Sequence, residues 1–119
     1  MPDDRVIVVG AGPAGMAAAV ALAEGGQRVL LVDQARTPGG AVHRAPLPGV
    51  APLGLPEHRR RWAALTARAT AQASRIETAF ETRFAGVDAT GAVLLTGARN
   101  RLLQPRGVIV ALGARERVL

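Results

Sequence analysis

Three glycines, Gly10, Gly12 and Gly15, restrict the folds open to this chain more than any other feature, because of what surrounds them in RVIVVGAGPAGMAAAVALAEGGQRVLLVD, residues 5–33. Before them Arg5–Val9 is a short β-branched apolar run, the kind that suits a strand buried on both faces of a parallel sheet. After them Pro13 opens an Ala-rich run to Ala23 that predicts a helix, stopped by Gly25-Gly26. Arg28–Val32 then reads as a second buried strand, and Asp33 stands at its carboxyl end, 23 residues after Gly10. Strand, glycine turn, helix, strand and acid in this order describe a dinucleotide-binding unit. The first glycine permits a tight turn, the second lets backbone approach a pyrophosphate, and the third lets helix lie close on strand. Ala14 and its neighbours begin the helix, so their free N–H groups and the positive end of the helix dipole face the phosphates. Asp33 is placed to accept hydrogen bonds from ribose hydroxyls, and its charge would repel a 2′-phosphate. Turn and acid alone leave NAD and FAD both open.

At 119 residues the chain has the length of one domain. Cysteine is absent, which excludes disulfides, thiolate metal sites and a redox-active C-x-x-C within these residues. The apolar stretch Met16–Ala23 is too short to span a bilayer and no basic leader precedes it, so a soluble cytoplasmic protein is expected. The net charge of +6 is uneven: residues 1–56 carry four Arg and four acids, residues 57–119 eleven Arg and five acids. No Lys accompanies the Arg, and Trp62, Phe80 and Phe84 are the only aromatics. A nucleic-acid surface is therefore not expected, and the basic half better suits an acidic protein partner.

Further along, Met1–Asp4 is a polar lead-in expected to be loosely attached. Residues 34–56 hold five Pro and four Gly in 23 positions, which predicts a long loop. Glu57–Ser74 predicts a helix with Trp62, Leu65, Ala69 and Ala73 on one face, and Arg59, Arg60 and Arg61 in its first turn read as a solvated surface. Ile76–Phe80 would be a third parallel strand. Between Glu81 and Pro105 three strand-like pieces, separated by Ala89-Thr90-Gly91 and Arg99-Asn100, predict an antiparallel meander (81–105), and Val108–Leu112 returns to the type of a central strand. The fold class is thus α/β, a Rossmann-type parallel sheet with a three-stranded antiparallel excursion, incomplete at the C-terminus.

With these residues laid out, the chain resembles the amino-terminal part of the two-dinucleotide-domain flavoproteins, the thioredoxin-reductase-like class. The resemblance rests on GAGPAG, Asp33, the Pro38-Gly39-Gly40 step and the late VIVALGARER segment, and LVDQARTPGGAVHR is most similar to components of opine oxidases, hydrogen cyanide synthase and sarcosine-oxidase-type dehydrogenases. It covers Arg5 to Val118 but only the front of a family member. It implies FAD as cofactor, with Gly12, Pro13 and Ala14 at the pyrophosphate and Asp33, beside Gln34, at the adenosine ribose. Gly40 and Ala41 would face the ribityl side, with Arg44 close by. Phe84 would offer its backbone to adenine, and Ala111 to Gly113 would lie where the sheet meets the cofactor. Two departures stand out: Ala41-Val42-His43 replaces a frequent Gln-Ile-Tyr, and Ala111-Leu112-Gly113 a frequent Ala-Thr-Gly. His43 and His58 are the titratable residues nearest neutrality, yet His43 has no acid or nucleophile within a few residues to work with it and His58 opens a helix, so the sequence identifies no catalytic residue. The resemblance further implies an oxidoreductase in which flavin takes hydride from an amine or amino-acid-type substrate or from NAD(P)H, completed by the rest of the enzyme or by a different subunit. The alternatives are an NAD-binding unit and a non-catalytic, nucleotide-binding small subunit that docks on a partner.

Overall fold

The computed structural model describes residues 3–38 and 56–112. A parallel sheet forms its centre, in the order β3-β2-β1-β7: β1 is Val6–Val9, β2 Val29–Val32, β3 Ile76–Ala79 and β7 Gly107–Val110. β1 and β2 pair in register from Val6 with Val29 to Val9 with Val32. Successive side chains of these strands point to opposite faces, and both faces are covered, which is why the two runs are apolar without alternation. On one face Val8, Val29 and Leu31 meet Met16, Ala19 and Val20 of helix α1, Pro13–Glu24. On the other, Ile7, Val9, Leu30 and Val32 meet Val93 and Leu95 from a second, antiparallel sheet. That sheet is the predicted meander: β4 Arg83–Val87, β5 Val93–Thr96 and β6 Arg101–Leu103, in the order β4-β5-β6. Helices, parallel sheet and meander make three layers with two apolar seams.

The small residues of α1 are what bring it against the sheet. Gly15, Ala19 and Ala23 are buried along one side, so helix backbone approaches strand backbone. The helix ends where Gly25 N–H reaches the Ala21 carbonyl at 3.1 Å and Gly26 turns into the left-handed region at φ +91°. Helix α2, Pro56–Ala71, packs Trp62, Leu65 and Ala69 on the outer side of the α1 layer. Arg68 ties it there through Glu24, Nη2 to Oε1 at 2.5 Å. The sequence predicts this helix as far as Ser74, with Ala73 on its apolar face. It stops at Ala71 because the chain tightens there: Gln72 N–H bonds the Ala69 carbonyl and Ala73 N–H that of Thr70, three residues back, to swing into β3. Ala73 is exposed.

Two other expectations are corrected. The sequence predicts a central strand over Val108–Leu112, but β7 spans Gly107–Val110 and, among the described residues, pairs with β1 alone, at the end of the order. Ile109 and Val110 are 37% and 56% exposed. An apolar run looks the same whether a neighbouring strand covers it or not, so composition does not place it. Nor is the lead-in loose from Asp3 onward. The Asp3 carboxylate receives Arg5 N–H and Nε at 2.9 Å and Nη2 at 2.6 Å, and Asp3 N–H bonds the Gln104 carbonyl at 2.8 Å. The Arg5 guanidinium, which also meets Glu77, holds the Asp3 carboxyl down at about 2. Most of the predicted loop at 34–56 lies outside the described residues.

Candidate functional site: the glycine turn and the end of β2

The turn forms where β1 ends against β7. Gly10 donates its N–H to the Val32 carbonyl at 2.7 Å and takes φ +107°. A Cβ there would overlap the Ala111 carbonyl oxygen and lie 2.9 Å from its carbon. Backbone angle and space thus both require glycine. At Gly15 a Cβ would overlap the Gly10 carbonyl oxygen and lie 2.7 Å from the carbon, so helix and strand backbones are in direct contact, as the third glycine predicts. Gly12 caps α1 in an extended conformation, φ −75° and ψ −171°, with no side-chain hydrogen bond, and Pro13 follows at the first helical position. No acidic residue stands in the first turn. The N–H groups of Ala14 and Gly15 have no acceptor within the helix, since an α-helix supplies none to its first turn. Pro13 and Ala14 are exposed and Gly12 half-buried, so a ligand reaches this end of the helix from solvent.

Asp33, half-buried at the end of β2, lies beside the turn. Its Oδ2 accepts the N–H of Ala11 at 2.6 Å, and its Oδ1 accepts the N–H of Ala35 at 2.8 Å. Beyond it opens a cavity of about 540 Å³ between the segment after β2 (Gln34, Ala35, Arg36) and the start of the meander (Glu81, Thr82, Arg83). Backbone bonds stitch these walls together: Glu81 N–H to the Ala35 carbonyl at 3.0 Å and Thr82 N–H to the Asp33 carbonyl at 2.9 Å. Arg36 and Glu81 pair across the mouth at 3.3 Å. Glu81 takes φ +51°, the sole non-glycine positive φ among the described residues, and Gly97 passes so close that a Cβ would lie 2.7 Å from the Glu81 oxygen.

The structure therefore brings Gly10, Gly12, Pro13, Ala14, Gly15, Asp33 and Ala111 together at the carboxyl ends of β1 and β2, with Gln34 on the adjoining cavity. Phe84 is different: its side chain packs half-buried against the seam between sheet and meander. Gly40, Ala41, His43, Arg44 and Gly113 lie outside the described residues. Sequence reasoning misses Ala11 and Glu81. Ala11 sits inside the glycine turn and is open to notice, whereas nothing in the sequence marks Glu81 as a left-handed residue.

This fold and this turn define a Rossmann-type dinucleotide-binding domain. The chain belongs to the pyridine nucleotide-disulphide oxidoreductase family, whose model matches residues 4–119. It is 36% identical over 116 residues to the hydrogen cyanide synthase subunit HcnB of Pseudomonas aeruginosa, covering 95% of this chain and 25% of that one. It is 36% identical over 121 residues to an opine oxidase subunit of Rhizobium meliloti, covering 93% and 24%. The chain thus spans about a quarter of the length of these relatives. Among solved structures a thioredoxin reductase from Gloeobacter violaceus superposes with a TM-score of 0.66 at 21% identity, over all of this chain and 40% of that one. The FAD-binding and NAD(P)-binding character of the family fits this site, with FAD as the cofactor. The turn agrees, since Gly10 and Gly15 let its backbone close against Ala111 and against itself and leave the start of α1 open to solvent at Pro13 and Ala14. No helix among the described residues is long and apolar enough to cross a membrane.

Proposed function

We propose that this chain holds the ADP half of FAD for a flavin-dependent amine or amino-acid oxidoreductase. The observation that carries the proposal is the uncapped, solvent-facing start of α1 with the Asp33 carboxylate beside it. In this reading the pyrophosphate lies against Gly12 and the N–H groups of Ala14 and Gly15, where donors and the helix dipole both favour negative charge. Asp33 keeps lone pairs on both oxygens for ribose hydroxyls, because each oxygen has only one N–H partner here. The cavity beyond Asp33 takes the adenine end. FAD, once bound, supplies the electron-pair acceptor for hydride from substrate or from NAD(P)H. What these residues contribute is position: a cofactor anchored by its ADP half has its flavin aimed beyond the Gly10 end of the sheet.

Relatives named for opine oxidation and hydrogen cyanide synthesis support an amine or amino-acid-derived substrate. None of the described residues supplies a nucleophile or general base at the turn, and His58 lies exposed at the start of α2. In this reading the substrate-facing groups lie outside the described residues, and the exposed Ile109 and Val110 of β7 offer an apolar surface for the rest of a larger enzyme. The test is an absorbance titration of the purified protein with FAD, followed by anaerobic mixing with NADH and with N-substituted amino acids. Saturable FAD binding without bleaching by either donor is expected from this chain alone. Binding that is absent, or bleaching by a monomer of this chain, would contradict the proposal.

A further inference from the structure

We infer that Asp33 is a positioning residue for the phosphate-binding turn, and not only an acceptor for the ribose. This deepens the reading above and rests on it. Asp33 bridges two segments at once. Its Oδ2 takes the N–H of Ala11, inside the glycine turn, at 2.6 Å, and its Oδ1 takes the N–H of Ala35, on the wall of the adjoining cavity, at 2.8 Å. Ala11 is fully buried in the intact turn, so there its N–H is satisfied by the carboxylate and not by water. Gly10 and Gly12 on either side have no side chains with which to hold the turn. The chain between the last residue of β1 and the first of α1 is thus fixed by the Gly10 bond to Val32, the Gly10–Ala111 contact and this carboxylate. Releasing Ala11 would let the turn sample conformations in which Gly12 and Ala14 no longer converge on one point. A pyrophosphate would then have to order the turn as it binds.

The two roles make opposite predictions for a ligand that lacks ribose hydroxyls. If Asp33 touches only the ribose, its removal takes a negative charge away from a phosphate site, and 2′,3′-dideoxy-ADP should bind as well or better. If Asp33 braces the turn, the same ligand should bind more weakly, despite the charge. Calorimetry of the parent, Asp33→Ala and Asp33→Asn with ADP and with 2′,3′-dideoxy-ADP decides between them. Asp33→Ala should weaken dideoxy-ADP by about tenfold, the lower end for loss of one charge-assisted hydrogen bond, and ADP by more. Asp33→Asn keeps one acceptor and should recover part of the loss for dideoxy-ADP. In the unliganded protein, Ala11 amide exchange should be slow in the parent and at least about tenfold faster in Asp33→Ala. Unchanged or tighter dideoxy-ADP binding in both variants overturns the brace while leaving nucleotide binding intact. A parent that binds neither nucleotide overturns the functional reading instead, and unprotected Ala11 exchange in that same parent overturns the brace as well.

Discussion

Gly15→Ala should destabilise the protein by about 3 kcal/mol, and the reason lies in one backbone contact. The added Cβ would overlap the Gly10 carbonyl oxygen and stand 2.7 Å from its carbon, whereas ordinary contact begins at 3.4 Å. Helix and strand must separate by at least about 0.7 Å, and by more to clear the oxygen. Neither partner is a flexible side chain that can rotate aside. Moving α1 outward loosens Met16, Ala19 and Val20 from Val8, Val29 and Leu31, one of the two apolar seams. Overpacking of a core by one methyl group costs about 1–3 kcal/mol, and rigid backbone on both sides sets this case at the upper end. With a urea m-value of about 1.5 kcal/mol/M, the unfolding midpoint should fall by about 2 M. Gly26→Ala is the contrast: unlike the helical Gly15, Gly26 has a positive φ, at +91°, but no atom lies within 4 Å of a Cβ there. It should lose only the left-handed backbone penalty of about 1–2 kcal/mol. Urea unfolding followed by far-UV circular dichroism measures both. If Gly15→Ala unfolds no earlier than Gly26→Ala, helix and strand are not in the contact described, and the third glycine has another purpose.

Three further outcomes are expected. Leu95→Ala, at a fully buried position between meander and sheet, should lower stability by about 3 kcal/mol, read from the same urea curves. The Asp3 carboxyl, held at about 2 by Arg5, has a folded-state value below its ordinary one; its contribution is therefore present above the usual carboxylate range and lost as pH falls through about 2. Asp3→Asn should accordingly lose about 1 kcal/mol at neutral pH, allowing for solvent screening, and nothing in strong acid, by urea unfolding across pH. ADP and NAD should bind more tightly than 2′-phosphorylated nucleotides in a calorimetric titration, and Asp33→Ala should narrow the gap.

How much of this is legible in the sequence depends on how local the cause is. The glycine turn, α1, β1 and β2 follow from a few neighbouring residues, because a tight turn, close backbone contact and burial on both faces each demand particular side chains or none. The meander is legible from its turn residues: Asp88 caps the β4–β5 turn by accepting the N–H groups of Thr90 and Ala92, and Gly91 takes φ +85°. The end of α2 is not, since Gln72 to Ser74 are acceptable helix residues and only the demand to enter β3 beside Val29 ends it. The place of β7 at the end of the sheet depends on which strands pair with it, a fact absent from its own composition. At the site, the glycines and Asp33 are readable as a set. The pairing of Asp33 with Ala11, and the left-handed Glu81 at the cavity mouth, arise from segments far apart in sequence.

The proposal that the start of α1 at Gly12 receives the pyrophosphate of FAD is tested most directly by isothermal titration. FAD and ADP are titrated into the parent and into Gly12→Val, with circular dichroism to show that the variant is folded. A side chain at the cap of α1 would occupy the space where backbone should meet phosphate. Saturable binding of both ligands to the parent, and loss of both in a folded Gly12→Val, is the predicted result. Equal binding by parent and variant would contradict it.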